Sequence, residues 1–328
     1  MKYRQLGTTG FKVSEVSLGT WQLGGKWGTD FDSKKAEETL NTAIDKGVNF
    51  IDTADVYRDG KSENAVAKVV KSRREQIYVA TKCGSKLEPK IAEAFTPQVL
   101  RKFVEDSLAN TGFDTLDLIQ LHCPPTQVYY RPEIFEMFDK LKDQGKIQNL
   151  GVSVEKVEEG LKAIEYPNVT TVQIIYNMFR QRPAEFFFEQ ANKKDVGIIV
   201  RVPLASGLLT GKFSKNTQFG KQDHRNFNRD GKSFDKGETF AGVDYETGLH
   251  AVDELKKVFP EHNNLAPVAI KWILMNKNVS CVIPGASKIE HVKSNISASE
   301  LPSIPDEKME QVEEIYEKYI KASVHQRW

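Results

Sequence analysis

Apolar and polar residues follow two rhythms along this chain. Short apolar runs bounded by turn residues alternate with longer stretches whose apolar positions recur three and four apart. The first rhythm marks buried strands and the second marks amphipathic helices. Strands are predicted at 16–20, 48–52, 77–82, 116–122, 146–152, 169–175, 197–202 and 279–283. Asp32 or Ser33 is placed to cap a helix carrying Leu40, Ala43 and Ile44 on one face. Further helices are predicted at 62–71, after Thr96-Pro97, and at 131–144, 183–194, 246–259, 266–276, 288–298 and 306–321. Ahead of them, Gly7-Thr8-Thr9-Gly10 sits between short alternating runs over 3–16, which signals a hairpin. Only 213–245 shows no periodicity; a loop that long inside a compact domain is usually functional or disordered. Strands alternating with helices give the α/β class with a parallel sheet, in one unit over 1–328.

The ends of the strands change this picture. The run Phe50-Ile51 stops at Asp52, and Tyr57 follows in the loop; the next strand stops at Lys82 and the next at His122. An ionisable group closing an apolar run is costly unless paired, and in a parallel barrel the C-terminal strand ends form the catalytic face. A lone Tyr, Lys, Asp or His is more often solvated or packed than catalytic, but their joint occurrence at successive strand ends reverses that expectation. The chemistry fits carbonyl reduction. Tyr57 is a candidate proton donor; an ammonium at Lys82 would lower its pKa, and Asp52 would keep Lys82 charged. His122 would hydrogen-bond the carbonyl oxygen. Asp55 reads as a loop or capping residue. Cys83 and Cys123 adjoin Lys82 and His122, but adjacent strand residues point to opposite sides, so Cys123 and His122 diverge unless the strand has already ended, and a zinc site lacks the usual paired ligand spacing, so no metal is expected.

Asp52, Tyr57, Lys82 and His122, with the stretch DTADVYRDGKSE and its Ser62-Glu63, resemble the catalytic tetrad and signature of the aldo-keto reductases. The resemblance runs from about residue 3 to about residue 300 and is to the bacterial branch related to the potassium-channel β subunit. It implies a closed (β/α)8 TIM barrel with an N-terminal hairpin plugging its bottom and extra C-terminal helices. It also implies NADP(H)-dependent reduction of aldehydes and ketones, with Tyr57 as general acid.

Composition narrows the setting. The 328 residues carry 46 basic and 45 acidic side chains, a formal net charge of +1, so no nucleic-acid or membrane partner is indicated. Three cysteines make no disulfide framework, and MKYRQLGTTG lacks the apolar core of a signal peptide. A cytoplasmic protein is expected, and the resemblance makes a monomer the default.

No G-x-G-x-x-G follows the first strand, so a Rossmann fingerprint is absent. The resemblance instead lays the cofactor across the barrel mouth, with Thr20, Trp21 and Asp52 at its reacting end. Ser153 and Gln173 match carboxamide-binding positions, although Val154 stands where relatives often have Asn or Arg. Pro203, Leu204, Ser206, Gly207, Leu209 and Lys212 resemble a pyrophosphate-binding segment, with Arg225 a phosphate contact from the covering loop. Gly285, Ser287, Lys288, His291 and Asn295 resemble the adenosine 2′-phosphate site, which favours NADPH, though relatives commonly carry other residues at His291 and Ser294. Arg201 stands where many relatives stack an aromatic ring under the nicotinamide; a cation there would disfavour the oxidised ring.

Trp21 and Trp27, with Tyr57 and His122, are the expected substrate contacts. Tyr129, Tyr130 and Phe179 are further candidates for an apolar wall, and the tail from Ser323 is expected near the mouth. Such a pocket suits reactive or lipid-derived aldehydes such as 4-hydroxynonenal. Rival readings are a cofactor-binding regulator with little turnover, a sugar or polyol dehydrogenase running in reverse, and a lyase using Lys82 as a Schiff-base nucleophile.

Overall fold

The computed structural model describes residues 1–25 and 29–327. Eight strands lie parallel in sequence order: β3 (Leu18–Gly19), β4 (Phe50–Asp52), β5 (Tyr78–Cys83), β6 (Leu116–His122), β7 (Ile147–Ser153), β8 (Val169–Ile175), β9 (Gly197–Arg201) and β10 (Val279–Val282). Parallel bridges from Val16 to Val282 and from Gly19 to Gly285 join the first strand to the last and close the ring. The protein is therefore a (β/α)8 barrel. Its first strand is far shorter than the apolar pattern suggested, because the backbone of 16–20 pairs through isolated bridges at its two ends.

The antiparallel hairpin of β1 (Tyr3–Gln5) and β2 (Lys12–Ser14) lies outside the barrel sheet. Its Leu6, Phe11 and Val13 pack with Phe50, Ala80, Leu118, Ile199, Cys281 and Ile283 in an inner core. A larger core lies between the strands and the helices, and takes Ile51, Val79, Ile119, Val152, Val172 and Val200. Successive strand residues point to opposite faces, so inner residues share one parity. That parity carries the inner core upward into polar side chains: Phe50 to Asp52, Ala80 to Lys82, Leu118 to Gln120 and His122, and Ile199 to Arg201.

The helices fall close to their predicted spans. They include Ser33–Asp45, capped by the Asp32 carboxylate on the Lys35 N–H, and Pro97–Thr111, capped by Thr96 with proline in its first turn. A short helix, Val157–Ala163, is not foreshadowed by the apolar pattern. The irregular stretch is structured: it holds a short helix, His224–Phe227, and two 3-10 turns before the helix Tyr245–Val258. Asn228 Oδ1 accepts from the N–H groups of Ser233 and Phe234, at 2.9 and 3.0 Å, and folds the segment on itself. Among the described residues, no helix is long and apolar enough to cross a membrane.

Candidate active site

Asp52 ends β4 and Lys82 lies near the end of β5, both almost fully buried. The Lys82 ammonium pairs with Asp52 Oδ1 and donates to Thr53 O at 2.8 Å and to the Tyr57 hydroxyl at 3.4 Å. Its three donors are thereby used. Asp52 Oδ2 accepts from Gln173 Nε2 at 2.8 Å and from Gln120 Nε2 at 3.0 Å, so both carboxylate oxygens are satisfied. Gln120 was not foreseen, although its parity with Leu118 and His122 would have placed it on the inner face. Thr20 Oγ1 donates to the Asp52 carbonyl at 3.0 Å and accepts from Ser62, tying the strand end to the next helix.

Burial works against the charge on Lys82, yet Asp52 and then Tyr57 outweigh it, and its pKa stands above the ordinary lysine value. Tyr57 departs from expectation. Burial of the phenol outweighs the pull of Lys82, and its pKa is pushed up to about 12. The hydroxyl is therefore held protonated rather than readied as phenolate. His122 meets the Tyr57 ring edge-on, with centroids 6.0 Å apart. Burial first, then Lys82, Lys90 and Arg201, hold its pKa well below the usual imidazole value. Its Nδ1 is buried without a partner. A neutral imidazole can still donate one N–H.

Cys123 follows the end of β6 at φ 46°, so the strict alternation of the strand no longer applies to it. Its Sγ lies 3.5 Å from Ser153 Oγ and 3.6 Å from Arg201 Nη2. Burial pushes this thiol up to about 11 despite Arg201, which excludes a resting thiolate nucleophile. Among the described residues no cluster of His, Cys, Asp or Glu could hold a metal ion.

A cavity of about 460 Å³ opens beside this group. Thr20, Trp21, Asp52, Tyr57, Gln173 and Arg201 line it, together with Pro203, Leu204, Ser206, Gly207, Lys212 and Arg225. Gly285, Lys288, His291 and Asn295 line it too. Most of the expected cofactor contacts are thus brought together. Leu209 is not: its side chain is buried, and its N–H, like that of Gly207, already bonds Leu204 O. Ser153 is buried behind Cys123, and Ser287 faces His291 Nδ1 at 3.4 Å; neither reaches the cavity wall. Arg225 is spoken for by Asp223, at 2.5 and 2.9 Å, and stacks over Phe219. Tyr129 and Phe179 are fully buried core residues and Tyr130 is a surface ring, so these three do not form a substrate wall. Trp21 does face the site, 6.5 Å from the Tyr57 ring and 5.0 Å from His224. Trp27 lies outside the described residues. The tail, up to Arg327, does not line the cavity; His325 docks on Glu185 at 3.2 Å and on the Tyr316 hydroxyl at 2.8 Å. Asp55 is no cap: it is 1% exposed, and neither carboxylate oxygen makes a well-formed hydrogen bond.

The family model for the aldo/keto reductase family matches residues 15–317. The chain belongs to the aldo/keto reductase family. Aldo-keto reductase YhdN of Bacillus subtilis is 31% identical over 88% of this chain and 86% of its own length. The NADH-specific methylglyoxal reductase of Escherichia coli is 28% identical over 91% and 93%. A probable voltage-gated potassium channel subunit β of Arabidopsis thaliana is 28% identical over 95% and 96%. Among solved structures, the glycerol dehydrogenase of Gluconobacter oxydans superposes with a TM-score of 0.79 at 29% identity, covering 97% of this chain and 96% of that one. This aldo-keto reductase is accordingly an oxidoreductase acting on carbonyl groups, in a family that generally works with a nicotinamide cofactor.

The cavity fits such a cofactor. A buried Arg201 Nε without a partner lies in its wall. Ser206 and Gly207 follow one another at positive φ along it, and Lys288 and His291 supply cationic and donor groups. Gly285 leaves open space where a side chain would otherwise stand.

Proposed function

We propose that the protein reduces aldehydes or ketones to alcohols with NADPH, using Tyr57 as the general acid and Asp52, Lys82 and His122 around it. One observation carries the reading: the Lys82 ammonium bridges the Asp52 carboxylate and the Tyr57 hydroxyl while His122 meets the Tyr57 ring edge-on. A nicotinamide cofactor held by the residues lining the cavity would supply the hydride. As the carbonyl carbon accepts it, the oxygen becomes a stronger base than a phenolate, and the Tyr57 hydroxyl gives up its proton to that oxygen. Lys82 stabilises the resulting phenolate. His122, held neutral, positions the carbonyl oxygen with an N–H. Ion pairing with Asp52 keeps Lys82 protonated, which disfavours the Schiff-base alternative.

Lys212 and Lys288 along the cavity support NADPH, because a 2′-phosphate gains from nearby cationic groups, and His291, which burial and then Lys288 hold neutral, can add an N–H donor. Glu290 shares that wall and would instead favour the ribose hydroxyl of NADH. Trp21 and Tyr57 give the reacting end an aromatic side suited to apolar aldehydes.

Titration with NADPH and NADH, followed by turnover on a panel including methylglyoxal and 4-hydroxynonenal, tests the reading. Tyr57→Phe is expected to bind NADPH as the wild type does and to lose about 10²- to 10⁴-fold in turnover. Undiminished turnover in that variant would remove Tyr57 from the acid's role. Tight binding without turnover on any carbonyl would favour a redox regulator instead.

A further inference from the structure

Arg201 does not stand alone at the cavity wall. Its guanidinium forms an ion pair with Glu238, which belongs to the segment folded over the mouth, and donates to Val154 O at 3.0 Å. Glu238 itself is held in place: Ser206 Oγ donates to its carbonyl at 2.6 Å and accepts from the Phe240 N–H at 3.3 Å. Arg201 and Glu238 both line the cavity that Asp52, Tyr57 and Gln173 also line. The field of Glu238 reaches the Tyr57 hydroxyl, and the field of Arg201 reaches His122. A ring that delivers hydride to a carbonyl at Tyr57 would therefore lie within the field of both groups.

Two ion pairs stand around that place. Asp52 balances Lys82, and Glu238 balances Arg201. An oxidised nicotinamide ring carries a positive charge and a reduced one carries none. The net charge of the surroundings thus acts on one redox form and leaves the other almost untouched. Arg201 by itself would repel the oxidised ring. With Glu238 in place, it is a neutral pair.

We infer that Glu238 is the residue that sets the ratio of oxidised to reduced cofactor affinity, by cancelling the charge of Arg201 when the covering segment is closed. The inference rests on the proposed nicotinamide site. It assigns to the loop a role in redox preference beyond covering the cofactor. A unit charge within several ångströms at an effective dielectric of about 20 changes affinity by about tenfold or more.

The test is fluorescence and calorimetric titration of the full-length protein with NADP⁺ and NADPH separately. In Glu238→Gln the ratio of the oxidised to the reduced dissociation constant is expected to rise by about tenfold. In Arg201→Met, which leaves the carboxylate unbalanced, the ratio is expected to fall. The double variant should return close to the wild-type ratio. Ser206→Ala loosens the same segment without changing charge; it should weaken both affinities by a similar factor and leave the ratio alone. If Glu238→Gln behaves like Ser206→Ala, Glu238 is only a structural anchor and the inference fails. A wild-type protein that binds neither nucleotide would overturn the cofactor reading and the inference with it.

Discussion

Asp55 shows how far a single carboxyl can depart from what its neighbours in the chain suggest. It sits between the strand that ends in Asp52 and the loop that carries Tyr57, with almost no exposure. Burial first, and then the nearby Glu63 carboxylate, push its pKa up to about 7 against the pull of Lys86. Glu63 gives no hydrogen bond in return, because its oxygens accept from Thr81 at 2.5 Å and Asn110 at 2.7 Å. In the unfolded chain Asp55 ionises near pH 4. Between that value and about pH 7, unfolding releases a proton, so stability falls as pH rises through the window and levels off above it. Asp55→Asn removes this penalty. The variant should gain up to about 4 kcal/mol over the wild type at pH 8, and clearly less at pH 5. Urea unfolding at the two pH values measures the difference. An equal gap at both would mean that the carboxyl is not held neutral in the fold.

At the scale of elements, the strands and the covering segment were legible to different degrees for a physical reason. Strands announce their inner face by alternation, so Asp52, Lys82 and His122 could be placed from the apolar runs they close. Gln120 belongs to the same inner row, and a neutral amide closing an apolar run signals itself less than an ion because its burial costs less. The segment 213–245 obeys no period, since its order comes from particular pairings: Arg201 with Glu238, Arg180 with Asp235 at 3.5 Å, and His224 against Trp21. No local pattern reports such partners, and Glu238 was missed for that reason. Arg201, foreseen as an uncompensated cation, acquires a counter-ion that the linear sequence does not reveal. Gly237 is the point at which this segment can be loosened. A Cβ there would stand 2.1 Å from Arg180 Nη1 and 2.7 Å from Asp235 Oδ2, and the buried Arg180 has little room to move. Gly237→Ala is expected to speed proteolytic cutting within 213–245 and to weaken nucleotide binding about tenfold, in the range of overpacking costs of about 1–3 kcal/mol. Unchanged cutting and binding would show that the segment is held elsewhere.

The whole molecule separates its two tasks along the barrel axis. The Asp52, Lys82, Gln120 and Gln173 network stands at the C-terminal ends of the strands, while the hairpin side chains Leu6, Phe11 and Val13 share the inner apolar core beneath it. Arg4 fastens the hairpin from outside, donating to Leu274 O at 2.8 Å and Val279 O at 2.9 Å and pairing with Glu15. Phe11 stacks on Tyr78 with centroids 4.1 Å apart. Tyr78 opens the strand on which Lys82 lies, so the plug and the site share β5 while facing opposite ends of it. Conserving the strand's register should then be enough to conserve the site. Phe11→Ala is expected to cost about 3–5 kcal/mol of stability, the usual range for emptying a buried aromatic position. Turnover at temperatures where the variant stays folded should remain within about twofold, since no polar contact of Asp52, Lys82 or Tyr57 passes through the hairpin. Urea unfolding and steady-state rates on the same preparation separate the two effects. A rate that falls in step with stability would mean that the plug also sets the height of Lys82 in the barrel, and that the bottom of the fold takes part in holding Tyr57.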